Sequence, residues 1–237
     1  MANHSFSNPN MKIKTIAFDA DDTLWHNEGL FREAETEFCQ LLEAYMPQHS
    51  VAKELYRIEL QNMELYGYGI KAFVLSLIES AIEISGRTLN VTDIEQILRI
   101  GKELLQKPVI LIDEVEDVLS TLQGKYRLIL ATKGDLLDQQ RKLKKSGLEK
   151  YFHHIEIMSE KKEPDYEKVI RHLDIQADEF AMIGNSLKSD VLPVLNLGGH
   201  AFHIPYHITW EHEKVDRKIE HNQLIQLTDI KELLQHL

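Results

Sequence analysis

Two regimes of hydrophobic spacing divide the chain. From about Glu28 to Lys107 apolar residues recur at helical intervals, with Leu30, Phe31, Ala34, Phe38, Leu41, Leu42 and Tyr45 on one stripe and charges between them. Pro47 ends that helix. A second is predicted from Val51 to Tyr66 and is broken by Gly67-Tyr68-Gly69. A third, Ile70 to Ile84, carries Phe73, Val74, Leu77 and Ile78 and stops at Gly86. A fourth begins near Thr92, where Glu95 three residues on suggests a capping box, and runs to Leu105 before Pro108. Successive amphipathic helices without an intervening strand predict an antiparallel bundle.

On either side of this block the pattern changes to short apolar runs alternating with helical periodicity. The runs at Ile13–Phe18, Tyr126–Ala131, Ile155–Met158, Phe180–Gly184 and Ala201–Ile204 read as strands. Helices are expected over Asp113–Gln123 and Asp135–Lys145, then from SEKKEP to Leu173, from NSLKSD to about Leu197, and over Asp229–His236. Such alternation predicts an α/β fold: a Rossmann-like, doubly wound, mostly parallel sheet. The bundle is then an insertion directly after the first strand. The expected division is a core of residues 1–24 and 108–237 and a helical domain of residues 25–107. Residues 1–11 are polar and expected to fray.

Polar residues gather where the strands end, which is where open α/β sheets place their ligands. After Phe18 come Asp19, Asp21 and Asp22, then Thr23. Carboxylates this close repel one another and suit a strand poorly unless a divalent cation sits among them. Alternation sends Asp19 and Asp21 to the same side of the chain. The plainer reading is an Asp-rich turn, and Asp22 or Thr23 suits a cap for the next helix. Thr132 ends the strand RLILAT and precedes Lys133 and Gly134; alone it reads as a cap or turn residue, though its hydroxyl could also serve an oxyanion. Lys161 and Lys162 both qualify as a fixed cation beside the acids. MIGNSLKSD again ends an apolar strand with polar ligands, Asn185 and Asp190, although Asp190 by itself reads as an ordinary helix residue.

These segments together resemble the haloacid dehalogenase-like superfamily. D-A-D-D-T fits its first motif, D-x-D-x-[TV]; Thr132 stands where the second has Thr or Ser. The third is a lysine, and the Ser-Glu before it and the Tyr after it select Lys161 over Lys162, although neither stands immediately before Pro as in many relatives. The fourth is a G-D-x-x-x-x-D variant with Asn185 replacing the first acid and Asp190 as the second. The resemblance implies the phosphatase branch, with a helical cap between the first and second motifs and hinges near Trp25–Glu28 and Lys107–Leu111. It implies Mg2+ held by Asp19, the Asp21 carbonyl and Asp190, with Asn185 supplying a neutral oxygen. Asp19 would attack phosphorus, Asp21 would act as general acid and base, and Thr132, Lys133 and Lys161 would hold the transferring oxygens. The expected substrate is a small phosphorylated metabolite. A 2-haloacid dehalogenase or a phosphomutase would share the fold, and a binder of phosphorylated ligands would need no turnover. Asp21 weighs against the dehalogenase, because displacing a halide needs no acid.

The remaining features change the picture little. A formal net charge of −11 over 237 residues weighs against general nucleic-acid or anionic-membrane binding. Cys39 is the one cysteine, the N-terminus lacks a signal-peptide pattern and no apolar run is long enough to span a bilayer, so a cytoplasmic protein is expected. His200, His203, His207 and His212 are numerous but lack metal-ligand spacing and read as structural. Arg141–Lys145 suits a helix C-terminus, and His26, though close to the acids, reads as structural.

Overall fold

The computed structural model describes residues 12–237; the polar stretch 1–11 lies outside the described residues. In chain order the elements are β1 (Thr15–Phe18), α1 (Glu28–Leu41), α2 (Gln48–Tyr66), α3 (Ile70–Ile84), α4 (Val91–Gln106), α5 (Val115–Leu122), β2 (Arg127–Lys133), α6 (Leu136–Ser146), β3 (His154–Met158), α7 (Glu163–His172), β4 (Phe180–Gly184), α8 (Leu192–Asn196), β5 (His200–His203) and β6 (Leu224–Gln226). Short 3-10 turns join several of them, the last being Ile230–Gln235.

The chain divides into two compact units. The first comprises residues up to Glu28, Val109–Lys133 and Leu143–Leu237, and holds a six-stranded sheet in the order β3-β2-β1-β4-β5-β6. Every pairing in it is parallel. Parallel sheets are covered on both faces, which is why these strands read as continuous apolar runs. Alternation divides them between two cores. Ile16, Phe18, Leu128, Leu130, Ala181 and Ile183 pack on one side, and Ala17, Ile129, Ala131, Phe180 and Met182 on the other. The order of the sheet turns at β1 and β4, from which the chain winds outward in both directions, and such a reversal opens a crevice at the strands' carboxyl ends.

The second unit comprises Gly29–Pro108 and Gly134–Lys142. Its core is a helical one, with Phe38, Leu42, Leu55, Phe73, Leu77, Ile97 and Ile100 at its centre. Residues 134–142, which the sequence pattern groups with the sheet, cluster here; Lys71 Nζ lies 2.8 Å from Asp135 Oδ2. The capping box of α4 is formed by Asn90 and Asp93 rather than by Thr92 and Glu95, since the N-cap falls two residues earlier. Tyr45 lies beyond α1, which ends at Leu41. The last expected helix is a 3-10 segment, and β6 is an unexpected strand of three residues. Among the described residues no helix is long and apolar enough to cross a membrane.

Candidate active site

Four neighbouring strands, β3, β2, β1 and β4, end at one rim. Phe18 of β1 pairs with Leu130 of β2 and with Ile183 of β4. Asp19 and Thr132 therefore follow that row by one and two residues on neighbouring strands, and Asn185 follows it by two on the other side. Asp19 N–H donates to the Ile183 carbonyl at 2.8 Å, which extends the ladder into the acidic segment. Both Asp19 and Thr132 are buried.

Lys161 follows β3 and enters the same place. Its Nζ lies 2.5 Å from Asp19 Oδ1 and 2.7 Å from Asp190 Oδ1, with the lysine only 4% exposed. Two segments separated by 142 residues thus meet in a buried ion pair. Burial pushes the Asp19 carboxyl up to about 7 against the pull of the Lys161 charge, and Asp190 adds to the rise. Burial also opposes the charge on Lys161, but Asp19 and Asp190 outweigh it and hold the ammonium well above the ordinary lysine value. Lys162, by contrast, is exposed, lies 3.7 Å from Glu160 and occupies the N-cap position of α7.

The Asp-rich turn has distinct uses for its members. Asp21 Oδ1 accepts a hydrogen bond from the buried Trp25 indole N–H at 2.7 Å. Asp22, at φ 63°, turns its carboxylate under the start of α1 and accepts from the N–H groups of Asn27 and Glu28. That is the capping role the sequence suggests for it. Burial raises its pKa to about 7. The Thr23 hydroxyl sits between Asp19 Oδ2 at 3.2 Å and Asn185 Oδ1 at 3.3 Å, and its single proton serves one of them at a time. His26 meets Tyr206 instead of the acids, Nδ1 to hydroxyl at 2.7 Å.

Asp190 arrives on a single π-helical turn, Leu187–Val191, which Ser186 caps by accepting from Ser189 N–H. Such turns widen the backbone and often mark functional sites. The Ser186 N–H donates to Asp190 Oδ2 at 2.9 Å. A Cβ on Gly184 would lie 2.2 Å from that same oxygen, so the glycine makes room for the carboxylate. The rim therefore gathers two buried carboxylates against one lysine, with the Asn185 amide oxygen directed at the same place through Thr23. Hard oxygen donors carrying net negative charge fit a small divalent cation.

The sequence gives no sign of Glu213. It lies in the connection between β5 and β6, and its carboxylate accepts from Lys133 Nζ at 2.5 Å, Ser186 Oγ at 2.5 Å and Ser189 Oγ at 2.6 Å. Lys133, a candidate phosphate ligand by sequence, is thus engaged by Glu213 and also reaches Ser189 Oγ at 3.2 Å. Burial works against the Glu213 charge, but Lys133 and the two hydroxyls hold its pKa down at about 2. Two further residues brace the turn. His203 Nε2 is 3.0 Å from the Asn185 carbonyl, and the buried Tyr166 hydroxyl donates to the Ser189 carbonyl at 2.9 Å.

Comparison with known proteins identifies the family. Residues 13–198 match the family model described as haloacid dehalogenase-like hydrolase. N-acylneuraminate-9-phosphatase of Mus musculus is 27% identical over 198 residues, covering 79% of this chain and 80% of its own. A haloacid dehalogenase-like family hydrolase from Xanthomonas campestris superposes with a TM-score of 0.82 at 37% identity, covering 94% of this chain and 89% of its own. The HAD-hydrolase YfnB of Bacillus subtilis, in a crystal structure bound to magnesium, has the same fold at a TM-score of 0.63 and 20% identity, covering 93% of this chain and 96% of its own. The chain, an enzyme of hydrolytic type, belongs to the haloacid dehalogenase-like hydrolases.

Proposed function

We propose that this hydrolase cleaves small phosphate monoesters with the help of Mg2+, through a phosphorylated Asp19. The observation that carries the reading is Lys161, whose ammonium joins Asp19 and Asp190 at a rim that also receives Thr132. A phosphate monoester is an anion, and a carboxylate nucleophile alone would repel it. Mg2+ fits the donor set of Asp19, the Asp21 carbonyl, Asp190 and Asn185, and when bound it offsets that charge and polarises the phosphoryl oxygens. Lys161 supplies a second, fixed positive charge, and the Thr132 hydroxyl donates to a transferring oxygen.

In the first step an Asp19 oxygen forms a bond to phosphorus while the bond to the leaving oxygen breaks, and Asp21 gives that oxygen its proton. In the second, Asp21 takes a proton from water, the water oxygen attacks phosphorus and Asp19 is released with inorganic phosphate. The indole N–H of Trp25 fixes the plane of the Asp21 carboxyl for both transfers. The helical insertion stands between the first and second motifs, the place in sequence where the resemblance implies a cap. A dehalogenase has no use for Asp21, which favours the phosphate reading. The named phosphatase relative makes N-acylneuraminate 9-phosphate one member of the panel to try, beside other sugar phosphates, phosphoglycolate and nucleoside monophosphates. A cytoplasmic place of action belongs to the same proposal; the single free cysteine, buried Cys39, supports it.

Hydrolysis of para-nitrophenyl phosphate, measured with Mg2+ and after its removal by a chelator, tests the proposal. Turnover should depend on Mg2+ and fall about a thousandfold or more in Asp19→Asn. An Asp19→Asn protein that hydrolyses the ester at the wild-type rate would sink the nucleophile assignment. Activity unchanged by exhaustive chelation would remove the metal.

A further inference from the structure

Away from the rim, β3 and α7 bring three other ligating side chains together. His154 and Glu156 lie two residues apart on β3, so strand alternation sends both to one face of the sheet. His172, the last residue of α7, reaches the same face, and its ring centroid is 5.6 Å from that of His154. His154 Nε2 is 2.8 Å from Glu156 Oε2. One ligand atom from each of the three residues lies within 4.8 Å of the other two. None of them takes part in the reaction proposed above.

We propose that His154, Glu156 and His172 form a second metal site, one that takes a divalent transition cation of the Zn2+ type. Two imidazoles with one carboxylate suit Zn2+, Ni2+ or Cu2+, whereas Mg2+ and Ca2+ favour all-oxygen sets such as the one at Asp19 and Asp190. Ligand atoms around a tetrahedral Zn2+ stand about 3.3 Å apart. The His154–Glu156 edge opens slightly to reach that spacing, and rotation of the exposed His172 side chain closes the rest. Two of the three ligands are on a strand held in register, His154 against Ile129 and Glu156 against Ala131 of β2. The third is on a helix anchored through buried Tyr166, Val169 and Ile170. A surface ion pair between His154 and Glu156 would need no second imidazole, and that imidazole is what the geometry adds. Three protein ligands leave a fourth position for water, so the cation exchanges readily. It would clamp the strand that leads into Lys161 to the helix that leads out.

The test is a Zn2+ titration of the full chain carrying Asp19→Asn, in excess Mg2+, followed by calorimetry and by the Tm with and without Zn2+. One equivalent should bind and raise the Tm. His154→Ala or His172→Ala should weaken binding at least about tenfold and remove the Tm shift, and Glu156→Gln should do so with the side-chain volume kept. Equal stoichiometry and affinity in the His154→Ala/His172→Ala double variant would overturn the proposal, as would an Asp19→Asn chain that takes up no Zn2+. Because binding is read instead of turnover, failure here leaves the phosphatase proposal standing, and loss of turnover leaves this one standing.

Discussion

The Trp25 indole N–H donates to Asp21 Oδ1 at 2.7 Å, across four residues of one turn. The ring itself is only 1% exposed and packs in the core beneath the sheet's carboxyl edge. A rigid, buried donor therefore fixes the orientation of the carboxyl proposed to move the proton. Trp25→Phe keeps most of the ring and removes the donor. A hydrogen bond contributes up to about 1.5 kcal/mol net, which corresponds to roughly tenfold in rate. The expected result is a tenfold fall in kcat with KM unchanged. A KM effect of that size with kcat intact would show that Trp25 acts on substrate binding instead.

Lys161 and Lys162 are neighbours in sequence with opposite surroundings. The first is buried between two carboxylates, and the second points to solvent beside Glu160. Removing one partner from a buried ion pair costs about 3–5 kcal/mol, while an exposed pair contributes about 0–1 kcal/mol. Lys161→Met should lower the urea midpoint clearly and abolish turnover, and Lys162→Met should leave both near wild type. Kinetics and unfolding of the two variants side by side check this; equal losses would contradict the separation.

Much of the sheet was legible because parallel strands buried on both faces must be apolar throughout, and their polar ends stand out against them. Asp19 is conspicuous for that reason, whereas Thr132, which alone reads as a cap or turn residue, and Asp190, which alone reads as an ordinary helix residue, needed the resemblance. β6 was not legible: Leu224–Gln226 is three residues long and half-buried, too short for a periodic signal. The choice of Lys161 over Lys162 needed the resemblance, since spacing alone leaves the two equal. Glu213 was invisible because a carboxylate in a polar loop looks solvated until the fold sets it beside Ser186, Ser189 and Lys133. For the same reason Lys133, next to Thr132 in sequence, reads as a phosphate ligand although its ammonium meets Glu213.

Glu213 also predicts a pH dependence of stability. Its folded pKa is about 2, below the ordinary 4.5 of a glutamate. The unfolded chain therefore binds the proton first as the pH falls. The stabilisation is fully present above about 4.5 and is lost as the pH drops toward about 2. Its full size is about 3 kcal/mol. Glu213→Gln should be less stable than wild type near neutrality, and the difference should shrink through this acid window. Urea unfolding at a series of pH values checks it; a gap that stays constant down to pH ~2 would exclude the carboxylate's charge as the source.

Gly101 lets α4 approach α3. A Cβ at this position would lie 2.2 Å from Val74 Cγ2, closer than atoms can pack. Gly101→Ala therefore sets two effects against each other. Overpacking a filled core costs about 1–3 kcal/mol, and replacing a mid-helix glycine with alanine returns about 0.8–1 kcal/mol. The clash is with a branched methyl on a packed helix, so it wins, and net destabilisation of about 1–2 kcal/mol is expected. Val74→Ala removes the opposing methyl. In that background the same Gly101→Ala change should stabilise the protein, because only the helix preference is left. A double-mutant cycle measured by chemical unfolding reads the reversal directly. If Gly101→Ala costs the same with and without the Val74 methyl, close packing of these two helices is not the reason for the glycine.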